Sequence, residues 1–449
     1  MAELRQRRDA VSHADIVELR LDGVADIDVD AALEGRRRPV IVTCRPRWEG
    51  GRFDGSEEER LRFLTAAWSG GAEYVDLEWR AGGQALLRHS GGSRIVSSFH
   101  DFEGTPARLD ALLREMRSTG AAIVKIAVTA RRLCDVLPLR SLKHAGRTVL
   151  IAMGAPGLPV RLLPAHFGSC WSYAGDGHAP GQIPAERMVR EMAFRRVDPE
   201  TRIYGVVGSA VMQSRSPAMH NAAFEATGLD AAFIPLQTDD FADFLAFAEA
   251  LPLDGASVTM PFKREALRAA VRADDATRRV GAANTLRRAG DGWEATNTDV
   301  AGFLAPLEGR RLAGARASVL GAGGAARAVV VALDARGARV TVHARRVEQA
   351  REVAGLVGAA PGPWPPARGS WDVLVNCTPL GGERDPSASP LAGGPFDGEL
   401  VYDLVYSHDT PLMREARAAG CEVIGGMPML RAQAERQFDW WTEHAREAR

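Results

Sequence analysis

The sequence predicts an α/β protein in two halves, a (β/α) barrel followed by a two-domain unit that ends in a parallel, doubly wound sheet. Three observations carry this. From about residue 15 to 175, short apolar runs recur every 20 to 30 residues with helix-like stretches between several of them. A polar segment containing Pro, RRVDPETR at 195–202, then reads as a linker. Beyond it, a strand enters a Gly-rich turn and an apolar helix at 316–333.

The runs of the first half are IVELRLD (16–22), PVIVTCR (39–45), EYVDLEW (73–79), RIVSSFH (94–100), AIVKIAV (122–128), TVLIAMG (148–154) and SCWSYAG (169–175). Between them ERLRFLTAAWSGG and PARLDALLREMRSTG carry apolar residues at i, i+3 and i+4 and end at Gly, as helix C-termini do. Strands apolar on both faces, alternating with helices, make a parallel sheet covered by helices. Seven of them in about 180 residues point to a TIM-type barrel, whose chemistry sits at the strand C-terminal ends. The apolar first strand expected before ADIVELRLD is absent. The barrel is therefore expected to stay incomplete, with edges at 16–22 and 169–174 unpaired or covered by another segment. An upstream in-frame strand would account for the gap.

The second half restarts with RIYGVVGS (202–209) and alternates strands and helices through GASVTMPFK (255–263) to about residue 305. It continues with RASVLGAGGAARAVVVAL (316–333), RVTVHARR (339–346), WDVLVNCTPLG (371–381) and ELVYDLVYS (399–407), with APGPWPPARGS (360–370) as a loop. The expected domains are 1–196, then 203–305 together with a C-terminal helix at 427–449, then 306–426.

Composition narrows the function. The formal charge of −1 leaves no electrostatic footprint for nucleic acid. No apolar run approaches the roughly 18 residues of a membrane span, and the charged N-terminus lacks a signal's apolar region. Five scattered cysteines, never in CxxC, argue for reduced thiols and against a disulfide scaffold or a structural zinc site. The chain reads as a soluble cytoplasmic α/β protein.

Two constellations carry chemistry. Gly321-Ala322-Gly323-Gly324-Ala325-Ala326 follows a predicted strand and opens a helix. Gly321 permits the tight turn, Gly323 lets backbone approach a pyrophosphate, and Ala326 allows close helix–strand packing. The helix N-terminus adds unpaired N–H groups for phosphate. Where NAD enzymes place an acidic residue about twenty positions on, this chain has Arg345 and Arg346. Two guanidiniums suit a 2′-phosphate, so NADP is expected over NAD; a solvated basic turn is the alternative. In the first half, Lys125 lies in an otherwise apolar strand. Desolvation there favours the neutral amine, a carbonyl nucleophile; the alternative is a lysine facing a wet barrel mouth or an ion pair. His100 and Glu78 stand near the ends of the two preceding strands, so three ionisable groups converge.

Residues 203–449 resemble shikimate dehydrogenase along their whole length. The matching stretches are SRSP (214–217), SVTMPFK (257–263), AANT (282–285), NTD (297–299), GAGGAAR (321–327), NCTPLG (376–381), YDLVY (402–406) and GMPMLRAQA (426–434). The resemblance implies an acid/base pair in Lys263 and Asp299, with Lys263 protonating the alkoxide formed from a C3 ketone. It implies substrate contacts from Ser214, Ser216, Thr259, Asn284, Tyr406 and Gln433, and cofactor contacts from Asn376, Thr378 and Gly426. Ala344 stands where the family usually has Asn, and Pro428 enters the stretch after Gly426.

Residues 14–195 resemble type I 3-dehydroquinate dehydratase, through VELRLD (17–22), Arg45 with the EGG loop (45–51), DLE (76–78), HDFEGTP (100–106), VKIAV (124–128), Arg161 within GLPVRLL, and APGQI (179–183). The resemblance implies an imine between Lys125 and the C3 ketone of dehydroquinate. His100 then removes the C2 proton and helps expel the C1 hydroxyl, and Glu78 orients His100. Glu18, Arg20, Arg45, Arg161 and Gln182 would bind substrate, Arg161 being suited to its carboxylate. His178 replaces the Ser usual before APGQ.

Together the resemblances imply a bifunctional lyase and NADP-dependent oxidoreductase of the shikimate pathway, in which the product of the first site, 3-dehydroshikimate, is the substrate of the second. The incomplete barrel and His178 predict a dehydratase weaker than its motifs promise. One alternative is a monofunctional dehydrogenase carrying a non-catalytic barrel as a binding or scaffold module. Another keeps both enzymes but gives the dehydrogenase quinate or NAD; the Ser214/Ser216 pair and the missing acidic residue argue against it.

Overall fold

The computed structural model describes residues 1–143, 146–175, 181–290 and 292–447. The chain divides into two compact units, residues 1–203 with 224–252 and residues 204–223 with 253–449. These bounds cut the chain differently from the three expected domains. Residues 224–252 fall with the first unit, where the fully buried Asp243 accepts the backbone N–H groups of Leu133 at 2.8 Å and Cys134 at 3.1 Å.

The first unit is built on six parallel strands: β1 (Val17–Arg20), β2 (Val40–Thr43), β3 (Tyr74–Glu78), β4 (Ile95–His100), β5 (Ile123–Thr129) and β6 (Thr148–Met153), paired in chain order. They are rich in Val and Ile, which fit a pleat buried on both faces. Val17, Leu19, Val40, Val42, Val75 and Leu77 pack against Leu64 and Ala67 of the helix Glu57–Ser69. Each fully buried aliphatic side chain there contributes roughly 1.5–3 kcal/mol. Ser56 caps that helix by accepting the Glu59 N–H at 3.1 Å.

The seventh apolar run, 169–175, is not a strand. One backbone bond, Cys170 N–H to Thr148 O at 2.9 Å, ties it to β6, after which Trp171 and Tyr173 pack onto Val96, Ala127, Val149 and Ile151. Aromatic side chains gave this run its strand-like pattern, but they are partly buried by draping over the sheet. Among the described residues the sheet is open, with β1 and β6 at its edges.

A second sheet comprises β7 (Arg202–Gly208), β8 (Ala231–Gln237), β9 (Leu253–Val258), β10 (Arg272–Ala273), β11 (Thr285–Ala289) and β12 (Gly292–Thr296), in the order β10-β12-β11-β9-β7-β8. β11 runs antiparallel to both β9 and β12. The third sheet comprises β13 (Arg316–Leu320), β14 (Arg339–His343), β15 (Ala360–Pro361), β16 (Val373–Asn376), β17 (Leu400–Asp403) and β18 (Glu422–Ile424). It is wholly parallel, ordered β15-β14-β13-β16-β17-β18. The strand order reverses at β13, which places the Gly-rich turn at a topological switch point. The segment expected as a plain loop at 360–370 opens with the two-residue strand β15. The chain closes with the helix Met427–Glu447, where Pro428 sits in the first turn and costs no hydrogen bond.

Candidate active sites

Strand alternation gathers the first site. Residues i and i+2 share a face, so β1 presents Glu18 and Arg20, β3 Asp76 and Glu78, β4 Ser98 and His100, and β5 Lys125. The register sets Lys125 beside Ser98 and Ser98 beside Glu78. Lys125 is 6 % exposed, and its Nζ donates to Asp76 Oδ2 at 3.1 Å. Burial alone would lower its pKa, but the Asp76 carboxylate, with Tyr173 and Glu18, outweighs burial and raises it. The expectation of a neutral resting amine is thereby corrected. Lys125 rests as an ammonium because a buried carboxylate that the sequence reading left out is its partner. Burial would raise Asp76 in turn, yet Arg45 and Lys125 hold it well below the usual carboxylate range.

Two further assignments change. Glu78 does not meet His100; it accepts from Arg45 Nη1 at 2.8 Å and from Arg60. The carboxylate at His100 is Glu49, whose Oε1 lies 3.0 Å from His100 Nδ1 and accepts the His100 backbone N–H at 3.0 Å. Glu49 comes from the loop after β2, which backbone bonds from Phe53 N to Arg45 O (3.1 Å) and from Gly51 N to Pro46 O (2.9 Å) fold back onto itself. Burial, then Arg45 and Lys125, push His100 well below the ordinary imidazole value, so it rests neutral. Burial lifts Glu49 to about 7. Arg45, expected at substrate, is instead an internal clamp. It is 3 % exposed and donates to Asp76 Oδ1 (2.9 Å), Glu78 Oε1 (2.8 Å) and Ser98 Oγ (2.8 Å).

The other expected substrate groups divide. Arg20 is held bidentate by Asp22 at 2.8–2.9 Å, and Glu18 accepts from Thr43 Oγ1 at 2.7 Å. Gln182 packs beside Gly175. Arg161 is 2 % exposed, donates only to Tyr173 O at 3.3 Å, and has a buried Nε without a partner among the described residues. Burial lowers its pKa to about 10. A buried guanidinium with no carboxylate is set for an anionic ligand. His178 lies outside the described residues.

The second site also centres on a lysine–aspartate pair. Lys263 Nζ donates to Asp299 Oδ2 at 2.6 Å, and Asn284 Nδ2 donates to Asp299 Oδ1 at 2.9 Å. The two motifs hold each other. Thr298 N–H donates to Asn284 Oδ1 (2.8 Å) and Asn297 Nδ2 to Ala282 O (2.7 Å), fixing the turn before Asp299. Gln433, from the C-terminal helix, accepts from Asn284 Nδ2 at 3.2 Å. Ser216 opens the helix Ser216–Thr227, and Ser214 Oγ accepts its N–H at 3.2 Å, so both hydroxyls lie at a helix N-terminus. Thr259 and Tyr406 are partly buried. Burial raises the Tyr406 phenol, Glu383 adds to this, and Arg215 opposes it.

The dinucleotide turn abuts this pair. A side chain at Gly324, the first residue of the helix Gly324–Ala335, would press on Lys263 Cδ at 2.9 Å. Gly321 has φ +104°, and a Cβ there would lie 3.2 Å from the Cys377 backbone. Open space lies beside Gly323, and no side chain caps the helix. Together with Ala322 and Ala325 these residues leave a cradle of backbone N–H groups that fits a pyrophosphate. Arg345 and Arg346 are exposed, and among the described residues neither is paired with a carboxylate. Asn376 is a brace behind the cradle, not an open cofactor contact. It is wholly buried, its Nδ2 donates to Asp403 Oδ1 (2.9 Å), and its Oδ1 accepts from Thr378 Oγ1 (2.7 Å). Gly426 has no room for a side chain, whose Cβ would fall 2.3 Å from Leu404 O.

Comparison with known proteins places both halves of the chain in families. The type I 3-dehydroquinase family matches residues 2–199 and the shikimate dehydrogenase substrate binding domain matches residues 206–286. A chloroplastic bifunctional 3-dehydroquinate dehydratase/shikimate dehydrogenase from Arabidopsis thaliana is 32% identical over 96% of this chain and 78% of that protein. The chain belongs to this bifunctional family. A shikimate dehydrogenase (NADP(+)) from Anaeromyxobacter sp. (strain Fw109-5) is 41% identical over 55% of this chain and 92% of its own length. The crystal structure of shikimate dehydrogenase from Aquifex aeolicus aligns at a TM-score of 0.50 with 30% identity, covering 55% of this chain and 94% of that one. This bifunctional dehydratase/dehydrogenase is thus both a lyase and an NADP-dependent oxidoreductase, and the scaffold-barrel alternative is not favoured. No helix among the described residues is long and apolar enough to cross a membrane.

Sequence reading missed Glu49, Asp76, Arg60 and Tyr173. The first two lay inside quoted motifs, EGG and DLE, and strand parity alone puts Asp76 on the Lys125 face.

Proposed function

We propose the following residue roles. In the barrel, Lys125 condenses with the C3 ketone of 3-dehydroquinate and Arg161 takes the carboxylate. The lysine proton leaves before attack to neutral His100, which gives it back to the carbinolamine oxygen as that oxygen departs as water and the imine forms. Once the imine has formed, it withdraws electrons as His100 removes the C2 proton. The same proton returns to the C1 hydroxyl as it departs as water, and hydrolysis frees Lys125. Glu49 fixes the His100 ring. Asp76 and Arg45 keep the charges around Lys125 balanced.

In the second half, NADPH when bound supplies the hydride for reduction of 3-dehydroshikimate. Gly321 to Ala325 would hold its pyrophosphate, and Arg345 with Arg346 its 2′-phosphate. Lys263 delivers a proton to the C3 oxygen as negative charge develops there, and Asp299 holds Lys263 in place. Ser214 and Ser216 receive the substrate carboxylate, while Asn284, Thr259 and Gln433 bond ring hydroxyls. Five free thiols suit a reducing compartment such as the cytoplasm.

The observation that carries this reading is the pair of separate lysine–aspartate couples, Lys125–Asp76 and Lys263–Asp299. The test supplies 3-dehydroquinate with NADPH and follows enone absorbance and NADPH oxidation together. Lys125→Ala should stop both signals yet still oxidise NADPH when given 3-dehydroshikimate. Lys263→Ala should accumulate the enone without oxidising NADPH. Unchanged flux in either variant removes that lysine from the chemistry.

A further inference from the structure

Tyr173 comes from the run that failed to form a strand, and it stands between two functional groups of the barrel site. Its ring centroid lies 4.5 Å from Lys125 Nζ, the same atom that donates to Asp76. Its backbone carbonyl accepts from Arg161 Nη1 at 3.3 Å. Its hydroxyl oxygen is buried and closes no hydrogen bond of ordinary geometry among the described residues, and the same holds for the neighbouring Trp171 indole N–H. The indole N–H is the polar group nearest the phenol and leaves it short of a well-formed bond, and a buried phenol so weakly satisfied has capacity for a bound group or water. Here the bound group would be the substrate, because the hydroxyl belongs to the residue that touches both Lys125 and Arg161.

We infer that Tyr173 is a further substrate-contacting residue of the dehydratase, its hydroxyl bonding an oxygen of the hydroxylated cyclohexanone carboxylate while its ring face positions the Lys125 ammonium. An aromatic face attracts a cation and has no such attraction for a neutral amine. The ring therefore favours the resting ammonium, and the hydroxyl rewards the bound substrate. Lys125 is faced by Asp76, Glu18, Arg45, His100 and Tyr173. Of these, Tyr173 can be altered at a constant charge count, since burial keeps its phenol neutral up to about pH 12.

The inference rests on Lys125 being the imine-forming residue, and the experiment separates the two. Borohydride is added with 3-dehydroquinate across a pH series, and the mass increase on the Lys125 peptide is quantified for the unmodified chain, Tyr173→Phe and Tyr173→Leu. Steady-state dehydration is measured alongside. Tyr173→Phe keeps the ring, so its trapping profile should match the unmodified chain while KM rises about tenfold at nearly constant kcat. Tyr173→Leu should raise KM and also shift the trapping profile to lower pH, because the ammonium has lost its aromatic neighbour. KM within twofold in Tyr173→Phe overturns the substrate contact even if the leucine variant does not fold. A leucine profile identical to the unmodified one overturns the positioning of Lys125. No adduct on Lys125 in an active unmodified chain overturns the imine reading as well.

Discussion

The two lysine–aspartate pairs are chemically alike and differ in what surrounds them. Lys125 and Asp76 have side chains 7 % and 0 % exposed, within a cluster that also contains Arg45, Glu78 and Arg60. Lys263 and Asp299 are 14 % and 7 % exposed, and Asp299 is supported by the neutral amide of Asn284. The first pair is one link in a buried network of alternating charge. The second is nearly self-contained. Under the proposed roles, the same chemical couple serves structure and chemistry together in the barrel, and mostly chemistry in the dehydrogenase.

Replacing each aspartate by asparagine would sharpen that contrast most. Asp76→Asn leaves Lys125 and Arg45 facing each other without their shared carboxylate, and breaking a buried pair costs about 3–5 kcal/mol. Dehydration should fall below detection, and thermal or urea unfolding should report the destabilised barrel. Asp299→Asn should cost about 1 kcal/mol, the scale of one hydrogen bond, while ketone reduction falls roughly 10²–10⁴-fold. Equal losses of stability in the two variants would dissolve the distinction.

Within the barrel, Glu49 and Glu78 offer a finer cut. Glu49→Gln keeps the shape but loosens the grip on His100, and dehydration should slow by roughly 10–100-fold, part of what a general base contributes. Glu78→Gln should mainly destabilise, because Arg45 and Arg60 lose a common anion. The pH dependence separates them further. Burial raises Glu49 from 4.5 to about 7 in the folded chain. A group raised on folding stabilises below its unfolded value, and that contribution is lost as pH rises through the folded value. Between pH 5 and 7.5 the unmodified chain should therefore lose Tm relative to Glu49→Gln. A constant Tm difference across that range would show that Glu49 does not titrate there.

The exchange of Glu78 for Glu49 shows where sequence reading stops. The strand runs put Glu78, His100 and Lys125 together, and the six observed strands match quoted runs to within a residue. Which carboxylate meets which base depends on the path of the 45–53 loop, and no periodicity encodes that path. Desolvation was rightly expected for Lys125, but its net effect depended on a neighbour two positions from the one chosen. The seventh run failed for a similar reason: Trp171 and Tyr173 have the propensity of a strand, yet only Cys170 makes a ladder bond. The dehydrogenase was more legible because its pairs join contiguous motifs, AANT with NTD and MPFK with GAGG, whose order alone identifies them.

The smallest effect concerns the cofactor, and it tests whether the second site is as separable as it looks. Arg345 and Arg346 lie just past β14, after Ala344, and both are exposed. The preceding His343 cannot stand in for them. Its ring is buried, with Nε2 at 3.0 Å from Ser318 Oγ and Nδ1 at 2.7 Å from Pro363 O. Ala344 offers no polar atom beyond its backbone. The proposed recognition of a 2′-phosphate at this strand end thus rests on the two guanidiniums. An exposed charge pair contributes up to about 1 kcal/mol, and a charge-assisted hydrogen bond somewhat more. Arg345→Ala with Arg346→Ala should then raise the NADPH KM about tenfold, leave the NADH KM nearly unchanged, and leave dehydration and Tm untouched. Those last two controls matter, because no residue of the barrel network lies on this strand. A variant that still prefers NADPH by the original factor would move 2′-phosphate recognition away from β14, and a slowed dehydratase would show that the two sites are not independent.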